Sequence, residues 1–210
     1  MFRGGYRVSL FLFFFTVFAA AAQAQENVIA TVFGESLTLD DISPDREQLS
    51  QIARMNSASK DMAMAQYRHG FLADKIVEAV LSHYAKSHDI SAMPELVEKF
   101  KARFAEDFSE NPPATEEPVS FDEVAVKQVE RWLIDKALYE DFGGVVIFQQ
   151  NNPQMPVGAY EQLLKQYQQK GHFTIRDDSY SAVFWEAFEP PFTFEIEPGK
   201  VDFSQPWWLR

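Results

Sequence analysis

Residues 120–150, SFDEVAVKQVERWLIDKALYEDFGGVVIFQQ, constrain the fold more than any other part of this 210-residue chain. Ser120 and Glu123 have the spacing of a capping box, in which each side chain meets a free amide of the first helical turn. Val129, Trp132, Leu133 and Ala137 recur at helical spacing and predict one apolar stripe facing a core. Gly143-Gly144 then ends the helix, because glycine accepts the positive φ of a helix C-terminus. Residues 145–148 follow as a short apolar run that reads as a buried strand. A long helix that stops cleanly and feeds a strand is scaffold, with no catalytic pattern of its own.

The chain before it predicts more helix around a small β element. Residues 28–33 (VIATVF) are β-rich, Gly34-Glu35 is a turn, and residues 36–39 alternate, so a short hairpin or a strand with a return is expected. Asp40, Asp41 and Ser43-Pro44 supply helix-start chemistry, with Pro44 suited to the first helical position of a helix over about residues 44–55. Residues 59–87 are the longest periodic stretch. There Leu72, Ile76, Val80 and Tyr84 fall at i, i+4 spacing beside Ala73, Val77 and Leu81, the broad apolar face of a central helix. His88-Asp89-Ile90 ends it, and Ser91 with Pro94 opens another helix carrying Leu96, Phe100, Phe104 and Phe108 in line. Residues 110–118, ENPPATEEP, read as an exposed linker.

Beyond residue 150, Asn151-Asn152-Pro153 and Pro156 predict a loop, and residues 157–170 a Gln-rich amphipathic helix with Tyr160, Leu163, Leu164 and Tyr167 on its apolar side. Residues 173–175 read as a strand, and Asp178 or Ser179 caps a last helix containing Val183, Phe184, Trp185 and Phe188. Residues 189–210 are punctuated by proline and rich in aromatics, and predict a hairpin about Pro198-Gly199. The fold class is mainly α, with a small β hairpin and a short α/β C-terminal extension.

At the N-terminus, Arg3 and Arg7 precede an apolar run over residues 8–22, and Ala22-Gln23-Ala24 offers small residues at the −3 and −1 positions. That pattern reads as a cleavable signal peptide, residues 1–24, cut after Ala24. The run is shorter than the roughly 20 residues of a permanent membrane helix. A periplasmic protein with no stable membrane insertion is therefore expected. Its net charge of −12 becomes more negative once Arg3 and Arg7 leave with the leader. Such a charge argues against nucleic acid, which needs clustered Lys and Arg, and against anionic lipid heads. There is no Cys, so an exported fold must rest on its apolar core alone.

VIATVFGESLTLDDI, then FLADKIVEAVLSHYAKSHDI, then a short helix opening S-x-x-P-E together resemble the N-terminal region of SurA-type periplasmic chaperones and their parvulin relatives. Residues 85–90 match the family's A-x-x-x-x-I helix ending, and the resemblance spans residues 27–150. It implies a helical chaperone module over residues 25–150, interrupted by the linker of residues 110–119, with residues 151–210 packing on it as an extension. The family's isomerase domain carries a histidine-bearing first strand and a Gly-Gly-Asp-Leu-Gly run. Here Gly143-Gly144 leads into Val-Val-Ile-Phe, and the histidines at 69, 83, 88 and 172 sit in no such strand. The resemblance therefore implies a chaperone without prolyl isomerase activity, and no enzyme.

Chemistry-bearing patterns are few. His83 and His88 are five apart, so on a helix they point to different faces, and no H-E-x-x-H occurs; no metal and no cofactor are expected. No G-x-S-x-G elbow is present. Asp177, Asp178 and Glu186 near Phe184 and Trp185 form one catalytic candidate, since a carboxyl beside apolar rings can have a raised pKa; as helix caps and a solvated face they need no such role. The candidate peptide- or partner-binding side chains are Trp132, Phe184, Trp185, Phe188, Trp207 and Trp208. Trp207-Trp208 could dock in a partner's groove, occupy the module's own client-binding cleft, or cover a leftover apolar face. The expected function is to bind unfolded exported or outer-membrane polypeptides through apolar grooves. The alternatives are an accessory subunit docking on one envelope protein and, more distantly, a carboxylate-dependent envelope enzyme.

Overall fold

A computed structural model describes residues 28–110 and 120–210, so the signal-peptide reading and all of the residue 110–119 linker but Glu110, which is helical, lie outside the described residues. Strands β1 (Val28–Val32) and β2 (Glu35–Thr38) pair antiparallel about Phe33-Gly34, whose φ angles of +49° and +87° make the tight turn. Asp41 then accepts from the amide and the hydroxyl of Thr38 and turns the chain toward α1 (Arg46–Met55). That helix starts later than the proline suggests. Asp45 forms a capping box with Gln48, whereas the Ser43 hydroxyl is engaged with Leu39 and Arg68 and cannot cap.

Helix α2 (Lys60–Ser87), N-capped by Ser59, buries Leu72, Ile76, Val80, Leu81 and Tyr84 as its periodicity predicts. Helix α3 (Pro94–Glu110) follows and packs on α4 (Phe121–Phe142). The Ser120–Glu123 capping box forms at the start of α4. Its buried side is not one stripe, however. Ala125, Val129 and Trp132 face one core, while Ile134 and Leu138 face another, so α4 is the wall between two cores.

Gly143 and Gly144, both at positive φ, end α4 and carry the chain across the start of α5 (Val157–Gln169). The crossing is close. A Cβ on Gly158 would lie 2.7 Å from the Val145 amide nitrogen, and the Gly158 amide donates to the Val145 carbonyl at 3.0 Å. Strand β3 (Ile147–Gln149) pairs with β4 (Asn152–Met155), where the sequence predicts a loop. Pro153 is tolerated because β4 is an edge strand, and proline costs no ladder bond there.

Strand β5 (Phe173–Ile175) pairs antiparallel with β1, which gives the order β2-β1-β5. Residues separated by about 140 positions in sequence thus share one sheet. Helix α6 (Asp178–Glu186) starts at Asp177, whose carboxylate accepts from the Ser179 and Tyr180 amides. The hairpin expected within residues 189–210 does not form. Instead Phe194 and Ile196 hydrogen-bond the free edge of β3, and a 3-10 turn at Pro198–Lys200 sends the chain on to the far side of α4. Among the described residues the fold is mainly α with a small antiparallel sheet, and no helix is long and apolar enough to cross a membrane.

The larger core joins the sheet, α2, α5, α6 and the second half of α4, with Tyr160 and Phe173 among its largest fully buried side chains. The smaller one is aromatic. Phe100 of α3, Trp132 of α4, and Phe203 and Trp208 of the last segment form it. Gln154 ties that segment down by donating to the Asp202 carbonyl and accepting from the Asp202 amide, both at 2.8 Å.

Candidate functional site

Between α2 and α4, with the β3–β4 hairpin closing one end, lies a cleft of about 700 Å³. Ala73, Val77, Leu81, Ile134 and Met155 make its apolar surface. The two helical walls differ in charge. Asp74 and Glu78 stand one turn apart on α2, and Lys127 and Arg131 stand one turn apart on α4, with Glu130 between them. Among the described residues no ion pair joins these two walls.

Behind Arg131 sits a polar chain in the larger core. Arg131 Nη1 donates to the Tyr160 hydroxyl at 2.9 Å, and that hydroxyl donates to Asp135 Oδ1 at 2.6 Å. Asn152 Nδ2 donates to Asp135 Oδ2 at 2.8 Å. Asp135 is 1 % exposed and Tyr160 1 % exposed. Burial pushes the Asp135 carboxyl up to about 6, against the opposing pull of the Tyr160 hydroxyl, Arg131 and Asn152. Burial likewise carries the Tyr160 phenol far above its ordinary value, with Asp135 adding to the effect. Burial works against the charge of Arg131, but Tyr160 and Asp135 outweigh it and the net displacement is upward. Arg131 is therefore a firmly charged guanidinium, held through a neutral hydroxyl and turned to the cleft.

None of these polar residues stands out in the sequence. Asp135 lies within a helical run of mixed charges, and only its position beside Ile134 and one turn before Leu138 marks it as core-facing. Its partners Asn152 and Tyr160 come from β4 and α5, which local pattern does not place opposite it.

The aromatic candidates separate into two groups. Trp132, Trp207 and Trp208 come together in the smaller core: Trp208 is 4 % exposed, edge-on to Phe100 at 5.4 Å and to Trp132 at 5.9 Å. Trp207 is half-buried against Phe104. Phe184, Trp185 and Phe188 cluster on α6 and just after it; Phe184 and Phe188 are buried, Trp185 half-buried. Only Phe188 of the six lines the cleft.

The acidic trio is dispersed. Asp177 is the cap of α6, and its hydrogen bonds from Ser179, joined by the Tyr180 amide, hold its carboxyl below the usual range, the reverse of a raised acid. Asp178 and Glu186 lie at opposite ends of that helix.

Three histidines line one hollow, of which His83 and His172 are in ring contact. A second hollow, of about 340 Å³, is lined by His83, His88 and His172 with Tyr84, Tyr167 and Asp141. His88 is the cap residue of α2 and not part of its helical face, so it turns back to the Tyr84 carbonyl at 2.9 Å. His83 and His172 each stack on the Phe33 ring, at 5.1 and 5.2 Å, and His83 Nδ1 bonds the Tyr167 hydroxyl at 2.8 Å. Among the described residues no group of three or more His, Asp or Glu side chains is placed to hold a metal ion.

Compared with known proteins, the chain matches no family model, no curated protein and no solved structure.

Proposed function

We propose that this protein is a non-catalytic, chaperone-type polypeptide binder of the periplasm, which takes extended segments of exported or outer-membrane chains into the α2–α4 cleft. The cleft itself carries the reading: an apolar lining from Ala73 to Met155, flanked by charged walls, suits a segment whose side chains alternate in character. Two further features support it. The stretches VIATVFGESLTLDDI and FLADKIVEAVLSHYAKSHDI and the S-x-x-P-E helix opening resemble the SurA-type module, with α1 lying between the first two. The strongly acidic composition keeps a protein that holds sticky clients soluble.

The binding surface in this reading is the cleft and not the aromatic tail. Trp208 is engaged with Phe100 and Trp132, so a client docking on it would first have to unseat it. The test is suppression of aggregation by the mature protein at several-fold excess over an unfolded outer-membrane client, alongside Val77→Trp, which fills the cleft from a half-buried position. Suppression by the parent and its loss in the variant is the expected result. Failure of the parent with every client sinks the reading.

One observation favours the accessory-subunit alternative. Leu209 stays exposed beside half-buried Trp207, which leaves an apolar edge on the last segment for a single folded partner. Crosslinking from position 207 in intact cells separates the two: one discrete adduct favours the subunit, a smear of exported chains the chaperone.

A further inference from the structure

Arg131 is a cation in a cleft of mixed apolar and polar lining in an acidic protein, and among the described residues no carboxylate lies within ion-pair distance of it. Among the described residues its one side-chain hydrogen bond is from Nη1 to the Tyr160 hydroxyl, which leaves the rest of a five-donor fork without an acceptor among them. Such a fork is shaped for two-point contact with a carboxylate. The hydroxyl that holds it is in turn fixed by Asp135, itself held by Asn152, so the orientation is set by three elements of the fold: α4, α5 and β4. Lys127, one turn away on the same wall, adds positive charge that Glu130 between them partly offsets.

We propose that Arg131 is an anchoring residue for a carboxylate of the bound polypeptide, so that the cleft selects segments bearing one Asp or Glu among apolar neighbours. The inference rests on the polypeptide-binding reading above and adds its specificity. Asp74 and Glu78 on the opposite wall limit what fits: a run of several acids is repelled, and a basic residue near the single acid is welcomed. Tyr160 acts as a positioning residue, since it reaches the ligand only through Arg131.

The experiment uses fluorescence anisotropy of the mature protein with two labelled, C-terminally amidated peptides, Lys-Ala-Leu-Ala-Glu-Ala-Leu-Ala-Lys and its Gln counterpart. The Glu peptide should bind about tenfold more tightly, the difference expected for one charge-assisted fork. Arg131→Met should bring the two peptides to equal affinity. Arg131→Lys should restore part of the preference, because an ammonium keeps the charge and loses the fork. Arg131 is half-buried, so these variants do not depend on opening the core. Tyr160→Phe should reduce the preference while binding of the Gln peptide persists, which a merely destabilised fold would not do. Equal binding of both peptides by the parent overturns this inference and leaves polypeptide binding standing. A preference that survives Arg131→Met overturns it as well. Binding of neither peptide overturns both this inference and the function it rests on.

Discussion

Asp135 and Trp132 stand three residues apart on α4, both buried, and they face different cores. Both carboxylate oxygens that Asp135 brings inside are met: Tyr160 on one, Asn152 on the other. Trp132 and its partner Trp208 bring two indole N–H groups inside, and neither finds an acceptor among the described residues. The larger core therefore gains specificity from directed bonds that lock α4, α5 and β4 into register. The smaller core gains its cohesion from aromatic area and accepts two unmet donors as the cost. One helix thus serves a region where directed bonds orient a charged group, and another where bulk suffices. The candidate site lies against the first.

The largest test of this contrast is Trp208→Ala, which removes the central ring of the aromatic core. A loss of about 4 kcal/mol is expected for a buried Trp, measured by denaturant unfolding. Because α3 is held by α4 and by the last segment, hydrogen exchange should rise first in α3, while β1 and β5 stay protected. Uniform loss of protection would mean that the two cores are one cooperative unit.

Asp135→Ala should cost about 3 kcal/mol, because it strands the Tyr160 hydroxyl and the Asn152 amide in the larger core. Thermal and denaturant unfolding measure it, and a cost under about 1 kcal/mol would show that the network is ornamental.

A smaller effect lies in the pH dependence. The Asp135 carboxyl is raised to about 6 from 3.8, so the folded state binds a proton more readily than the unfolded chain. Its contribution to stability is full below about 4 and is lost as pH rises through about 6. Asp41, Asp177 and Asp202 are lowered and run the opposite way, their contributions being lost as pH falls. Asp135→Asn isolates the first trend: the difference in stability between parent and variant should shift in the variant's favour from about pH 4 to about pH 7. A flat difference would place a charged, well-solvated Asp135 in the fold.

The smallest change should come from Trp132→Phe. It gives up some area but also removes an unmet buried donor, so a net effect within about 1 kcal/mol is expected. A cost typical of core truncation, about 3 kcal/mol, would show that the indole does find an acceptor in solution, and the contrast between the cores would fade.

Most of the helices are legible in short stretches of sequence. The stripe of Leu72, Ile76, Val80 and Tyr84, the Ser120–Glu123 box and the Gly143-Gly144 stop each act within a few residues, and local chain geometry enforces them. The same holds for the first hairpin, whose turn and strands are adjacent. Three features depart from the local pattern because their partners lie elsewhere. Residues 194–196 pair with β3 in place of a strand of their own, since an open sheet edge stands beside them. Asn152–Met155 is a strand because β3 lies alongside it. The single stripe expected on α4 is two, because cores form on both its sides.

The candidate site is hidden for the same reason. Arg131, Asp135, Asn152 and Tyr160 carry ordinary identities at unremarkable spacings, and the aromatic residues that do stand out go mainly to packing. Composition, periodicity and capping determined by themselves an acidic, cysteine-free, mainly helical protein with a small β hairpin. Only the tertiary structure decided that β5 completes the N-terminal sheet, that the Trp-Trp segment covers α3 and α4, and that Arg131 is presented to a cleft through a buried hydroxyl and carboxyl. The physical reason is range. Helix periodicity and caps are interactions over three or four residues, whereas burial of a charge depends on which distant groups arrive to satisfy it.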